Sequence, residues 1–238
     1  MPLSAARRPE LVPEFIRTMP LPDGPRLAVF DADGVLWQGD IADEFTLAMI
    51  EAGHVNTGAL WAEYQRIFQV DAAAGCRFLL SFYQGWQLAA LQPHVERFWQ
   101  AGRRWNLPVV ETIHWLVEHG CAVWVCSCSP TEFLKPALRQ LPIERLLGLE
   151  FELDDAGAIT GWPVGITTAG QGKADCIRAA AGDRRVLLAA GNSRLDVAML
   201  ELARSVAWAI EPDPALLEAA HQHGWHITRD LKLAPKSL

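Results

Sequence analysis

Residues 27–36 read Leu-Ala-Val-Phe-Asp-Ala-Asp-Gly-Val-Leu: a short apolar run that ends in two aspartates, Asp31 and Asp33, followed by Gly34. The run is long enough for a buried strand and too short for a buried helix. Two carboxylates one residue apart in the turn at its end repel each other unless a cation or a proton offsets the charge. Chemistry is the reason to place them so. One carboxylate can attack an electrophile, its neighbour can handle protons, and a hard cation can hold the pair together.

The elements around this turn repeat its logic. Cys121–Cys126 reads as a second buried strand and ends in Ser127, Cys128 and Ser129. Arg185–Ala190 reads as a later one and ends in Gly191, Asn192 and Ser193, with Asp196 one turn further on. Lys173 opens a helix, Gln171–Ala181, between them. Further helices are expected over Pro108–His119, Thr131–Gln140, Ser193–Ala203 and Pro212–His223, further strands over 26–31 and Val206–Ile210, and a hairpin over Leu146–Leu153 and Ala158–Gly161. Strands alternating with helices of this length imply an α/β fold, a doubly wound parallel sheet with helices on both faces. Ligands of such sheets collect beyond the carboxyl ends of the strands, where these polar residues fall.

The intervening text is different. Ile41–Glu51, Leu60–Phe68, Ala72–Gln84 and Gln92–Asn106 show apolar residues three or four apart and no convincing strand. The expected organisation is therefore an N-terminal arm over 1–25, rich in proline and lying over the surface, and an α/β core over 26–40 and 108–238. A helical cap over 41–107 interrupts that core. The chain has 238 residues, half of them hydrophobic, which suits one large domain with an insert. Its net charge is −7, with no basic run, which argues against nucleic acid and against an anionic membrane surface as partners. Five cysteines form no spaced framework, the first residues lack the apolar core of a secretory signal, and no apolar run reaches membrane-spanning length. The expected location is the cytoplasm. Cys126 and Cys128 straddle Ser127 without the further ligands a metal site needs, so packing is expected of them. His221, His223 and His226 crowd the end of the last helix, where they suit its dipole.

The four polar segments, in this order on these elements, resemble the haloacid dehalogenase-like superfamily of aspartate-nucleophile phosphohydrolases. Asp31-Ala-Asp-Gly-Val-Leu36 matches its first motif, Ser127 its second and Lys173 its third. Gly191-Asn-Ser-Arg-Leu-Asp196 is similar to its fourth, so the resemblance spans about 27–210. The stretch Val125–Pro136 and the helical insert look most like the phosphoserine-phosphatase-like branch. The resemblance implies a Rossmann-like core with the cap inserted after the first motif. It implies that Asp31 attacks phosphorus to form an aspartyl-phosphate, and that Asp33 protonates the leaving oxygen and then activates water. It implies Mg²⁺ held by the Asp31 carboxylate, the Asp33 backbone carbonyl and the fourth motif, here Asn192 and Asp196. Ser127, Cys128, the backbone of Gly34 and the charge of Lys173 are implied to hold the phosphate.

Asp33 separates phosphate chemistry from carbon–halogen chemistry, because a halide leaves without a proton. Asn192 departs from the family, which usually has aspartate there. An amide oxygen can ligate Mg²⁺ but brings no charge, so weaker metal affinity is expected. Val35, where threonine is frequent, is expected to be structural. The expected activity is Mg²⁺-dependent hydrolysis of a small soluble phosphorylated metabolite. A phosphotransferase or phosphomutase would use the same intermediate, and a protein that lost its metal would only bind ligand. Asp40 follows the nucleophile loop and is placed either to meet a cationic head group or to cap the helix at Ile41. Trp37 leads the aromatics that could cage a quaternary ammonium, though packing explains most of them more simply. Arg77 and Arg66 are candidate anion partners in the cap, with a solvated helix face the simpler reading of both.

Overall fold

The computed structural model describes residues 7–55, 58–229 and 231. Strand β1 (Arg26–Phe30) carries Leu-Ala-Val-Phe into the middle of a sheet, and four of its five residues are buried. A strand buried on both faces needs apolar side chains at every position, which is why it reads as a continuous run. β2 (Ala122–Pro130), β3 (Arg145–Leu153) and β4 (Ile159–Val164) extend the sheet on one side, and β5 (Arg185–Gly191), β6 (Val206–Ile210) and β7 (His226–Thr228) on the other. The order is β4-β3-β2-β1-β5-β6-β7, all parallel except the β3–β4 hairpin. The chain therefore leaves β1 in one direction and returns to its other side at β5. This reversal opens a crevice at the carboxyl end of β1.

Alternate residues of the same strands enter two separate cores. Ala28, Phe30, Val123, Val125, Leu188 and Ala190 face one, and Leu27, Val29, Trp124, Cys126 and Ala189 the other. Helices α6 (Leu107–Glu118) and α7 (Thr131–Leu138) cover the first face, and α8 (Gln171–Ala181), α9 (Val197–Leu200) and α10 (Pro214–His223) the second. Between β1 and α6 lie α2 (Ile41–Glu51), α3 (Gly58–Val70), α4 (Ala72–Leu79) and α5 (Leu88–Gln100). The two segments that lead into and out of this helical insert run side by side. Gln38 N donates to Arg104 O, Asn106 N donates to Leu36 O, and Trp37 and Trp105 form an antiparallel bridge.

Several boundaries differ from the sequence expectation, each for a local reason. α5 begins at Leu88 rather than Gln92. Leu88 N donates to Gly157 O and Gln87 bridges to Ala158, so the β3–β4 hairpin pins the first turn, and Pro93 is accommodated inside the helix. α4 stops at Leu79 and continues as a 3₁₀ turn over Leu80–Tyr83. The segment after Ser193 is a 3₁₀ turn, Arg194–Asp196, and then the short α9. His226 belongs to the edge strand β7, which the sequence reading missed, and its ring stacks on Phe15 at 4.2 Å.

The largest correction concerns the arm. It holds α1 (Glu14–Arg17), and Val12, Ile16 and Met19 are buried in the first core. Phe15 meets the edge of Trp208, and Arg7 pairs with Glu111 and Glu118 of α6. Proline density suggested a surface strap, but the short apolar turn between Pro13 and Pro20 fills the groove beside α6 and β6. Ile16→Ala should lower stability by about 3 kcal/mol, the usual cost of truncating a buried Ile. Urea unfolding checks this, and a loss below about 0.5 kcal/mol would mean that the arm is not part of the core.

Candidate active site

Asp31 is the first residue beyond β1, and its N–H still donates to Ala190 O in the β5 ladder. The chain then turns: Val35 N and Leu36 N both donate to Ala32 O. Gly34 makes this possible with φ +73, a conformation glycine adopts without strain. A Cβ on Gly34 would also lie 1.9 Å from Asn192 Nδ2, so the Asn192 amide rests directly on the Gly34 backbone. Asn106, where the chain re-enters the core, donates from Nδ2 to Val35 O at 2.6 Å and to Gly34 O at 3.3 Å. The turn is thus clamped from two sides.

Lys173, 1% exposed, reaches up from the first turn of α8. Its Nζ lies 2.7 Å from Asp31 Oδ1 and 2.5 Å from Asp196 Oδ1. Burial alone would lower its affinity for a proton, but Asp196 and Asp31 outweigh that and hold the ammonium well above its ordinary value. Burial, then the facing Asp196, push the Asp31 carboxyl up to about 7 against the opposing pull of Lys173. Two carboxylates share one ammonium, so a proton or a further cation is needed to balance the cluster.

Asp196 is completely buried and does not line the cavity. Besides Lys173 it accepts from Asn192 N and Ser193 N, each at 3.0 Å, through Oδ2. The resemblance implied a place among the metal ligands; the structure sets Asp196 against Lys173 and outside the cavity lining. Both of its oxygens are spent inside the protein, and its work is to hold Lys173 and the turn after β5. Gly191 permits this, since a Cβ there would fall 2.4 Å from Asp196 Cβ.

Asp33 is held by three donors. Trp37 Nε1 and Ile41 N bind Oδ1, each at 2.8 Å, and Ser129 Oγ binds Oδ2 at 2.6 Å. Ile41 is the first residue of α2, so this carboxyl is fastened to the entrance of the cap. Burial first, and then the nearby Asp40, push it well above the usual carboxylate range. That favours a protonated form, which a proton donor requires. Sequence reasoning gave Ser129 no role in the chemistry. The Ser-x-Ser spacing at the end of β2 was the available signal, because i and i+2 side chains of a strand point the same way. Ser127 itself is buried, and its Oγ accepts from Ser129 N.

These groups open into one cavity of about 430 Å³. Asp31, Asp33, Gly34, Ser127, Cys128, Lys173 and Asn192 line it from the core, joined by Arg194 and Asp213, and Asp40 lines it from the cap side. Cys128 donates its thiol to Thr168 O, and contact with Cys76, followed by burial, pushes that thiol well up. Asp40 also caps α2, accepting from Asp43 N at 3.0 Å.

Trp37, Arg77, Arg66 and Gly34 are placed away from the ligand contacts considered for them, Trp37 and Arg66 in keeping with the simpler readings of packing and a solvated face. Trp37 is wholly buried, with its ring against Trp99 and Trp105 at 4.9 and 5.4 Å and its N–H on Asp33, so it supports the acid rather than caging a ligand. Arg77 binds Thr167 Oγ1 at 3.2 Å, a tie between cap and core, and does not line the cavity. Arg66 pairs with Glu63. Gly34 lines the cavity, but its N–H donates to Gly39 O at 3.2 Å and is not turned to a phosphate.

The donor set fits one hard cation. The Asp31 carboxylate, the Asn192 amide and the main chain of Asp33 belong to residues that all line the cavity, with the amide against Gly34. Oxygen donors of this kind, few in number, suit Mg²⁺, which keeps several of its waters. Only one of them is anionic. Among the described residues no cluster of three or more His, Cys, Asp or Glu side chains forms a metal site, and no helix is long and apolar enough to cross a membrane.

The family model for haloacid dehalogenase-like hydrolases matches residues 28–201. No curated protein matches the chain. Among solved structures, a protein of unknown function from Bordetella pertussis Tohama I is similar at 20% identity with a TM-score of 0.73, over 87% of this chain and 99% of that one. A substrate-bound phosphoserine phosphatase complex aligns at 18% identity and TM-score 0.62, over 83% of this chain and 91% of its own. A phospho-aspartyl intermediate analogue of phosphoserine phosphatase aligns at 18% and 0.61, over 86% and 93%. At these identities the likeness is one of fold.

Lys173→Met should cost about 3–5 kcal/mol in metal-free protein, because it leaves two buried carboxylates facing each other. Adding Asp196→Asn in the same chain should recover part of that loss. Urea unfolding of the two variants measures both effects, and additive losses would show that the three side chains do not act as a unit.

Proposed function

We propose that this chain, which belongs to the haloacid dehalogenase-like hydrolase family, hydrolyses small phosphorylated metabolites through an aspartyl-phosphate on Asp31. The observation that carries the reading is the pair of carboxyls at the end of β1 in two contrasting environments. Burial raises both carboxyls, but the Lys173 ammonium, 2.7 Å away, opposes that rise at Asp31, whereas Asp33 is held by neutral donors and pushed well above the usual range. A nucleophile and an acid need that contrast.

Lys173 fixes the Asp31 carboxylate by one oxygen, so rotation does not dissipate its aim at the cavity. Attack forms the Asp31–phosphorus bond as the ester oxygen leaves with a proton from Asp33. Asp33, now ionised, is stabilised by Trp37, Ile41 and Ser129, and can take a proton from the water that cleaves the acyl phosphate. Ser127 sits on the cavity floor, where its hydroxyl can meet a phosphate oxygen, and Lys173 supplies charge from below. Asp31, Asn192 and the Asp33 carbonyl would hold Mg²⁺, which lets an anionic carboxylate approach an anionic phosphate. The cavity lies between cap and core, so closure of the cap would exclude bulk water from the acyl phosphate.

Hydrolysis of 4-nitrophenyl phosphate tests the reading. The protein should cleave it with Mg²⁺ and lose activity with EDTA. Asp31→Asn should reduce turnover by about 10³-fold or more while circular dichroism and melting stay native-like. Metal-independent turnover, or an active Asp31→Asn, would contradict it. Asn192→Asp restores an anionic donor, so the Mg²⁺ concentration for half-maximal activity should fall by about three- to tenfold. An unchanged midpoint would place Asn192 away from the metal.

A further inference from the structure

We infer that the leaving group taken by this cavity is apolar along its length and carries no negative charge. The inference rests on the phosphatase reading above and specifies its substrate class. The cap wall of the cavity is made by Ala42 of α2, Tyr64 and Phe68 of α3, and Cys76 and Leu79 of α4, with Asp40 at its edge. Tyr64 and Phe68 stand one helical turn apart with their rings 5.8 Å from each other. The Tyr64 hydroxyl is committed to Asp43 Oδ1 at 2.6 Å, so the residue offers its ring and not a hydrogen bond.

The charges at this wall are acidic, Asp40 directly and Asp43 behind Tyr64. Arginines of the cap are turned elsewhere: Arg66 to Glu63, Arg77 to Thr167 and Arg103 to Glu44. Among the described residues that line the cavity, the cap supplies no Lys, Arg or His. A carboxylate or second phosphate on the leaving group would lose its hydration against aliphatic and aromatic carbon and meet Asp40 with no compensating cation. An alkyl or aryl body would gain from the same wall, and an amine at its end would be met by Asp40. Arg194 is the cation of the core-side rim, on the turn after β5, and is the residue that would reverse this preference if it read the leaving group.

Four esters of primary alcohols hold the departing oxygen constant: methyl phosphate, n-pentyl phosphate, 5-aminopentyl phosphate and the phosphate ester of 5-hydroxypentanoate. With Mg²⁺, kcat/KM for the pentyl ester should exceed that for the methyl ester by about tenfold or more, since each buried methylene contributes about a factor of three. The carboxylate ester should fall about tenfold below the pentyl ester, and the amine ester should not. Phe68→Ser should shrink the pentyl-to-methyl ratio. A carboxylate ester cleaved as well as the pentyl ester overturns the inference while leaving the phosphatase reading intact, and loss of that activity in Arg194→Ala would name its reader. Equal rates for methyl and pentyl esters also overturn it. If none of the four is cleaved although 4-nitrophenyl phosphate is, the inference falls and the phosphatase reading stands; if that ester is not cleaved either, both fall.

Discussion

The ammonium of Lys173, buried between Asp31 and Asp196, is the interaction on which the rest of the site depends. An isolated buried charge is expensive, and two carboxylates facing one another are more so. Placing one cation 2.7 Å and 2.5 Å from the two carboxylates turns three unfavourable burials into one cluster. The cluster joins three segments distant in sequence: the end of β1, the start of α8 and the turn after β5. It fixes which Asp31 oxygen is engaged, and it leaves a negative charge for a proton or a further cation to offset.

The second carboxyl couples the chemistry to the cap. Asp33 takes the N–H of Ile41, where α2 begins, and the indole N–H of Trp37, which lies in the segment leading into the cap. Asn106, where the cap returns to the core, holds the carbonyls of Gly34 and Val35. The acid is therefore aimed by the two segments about which the cap would move. Its hydrogen bonds are made through groups that any cap displacement would shift. Asn192, seated on Gly34, puts a neutral amide where an aspartate would bring a charge.

Much of this was legible in the sequence, because the sheet places residues by period and topology. The apolar run ending in Asp31-Ala-Asp33, Ser127 after a second run and Gly191-Asn192 after a later one fall at carboxyl ends of parallel strands. In a doubly wound sheet those ends meet, whereas Lys173, a single lysine on the helix between them, was picked out by the family resemblance. What stayed hidden depends on side-chain direction and hydrogen-bond accounting. Trp37 looked available as a ligand because it adjoins the nucleophile loop, but its indole N–H is needed by a buried carboxyl, which draws the ring inward. The resemblance implied Asp196 as a ligand, but its oxygens accept from two backbone N–H groups and Lys173. The Gly34 N–H was lost to a local bond with Gly39 O. The arm failed on composition, since its many prolines outweighed the one apolar turn that reaches the core.

An aspartyl-phosphate on Asp31 can be detected directly. Protein mixed with Mg²⁺ and a phosphomonoester, quenched in acid during turnover and digested, should yield the peptide containing Asp31 and Asp33 with one added phosphoryl group. Fragmentation should place that group on Asp31, and hydroxylamine should remove it. Turnover with no phosphorylated peptide, or with the phosphoryl group on any other residue, would contradict nucleophilic attack by Asp31.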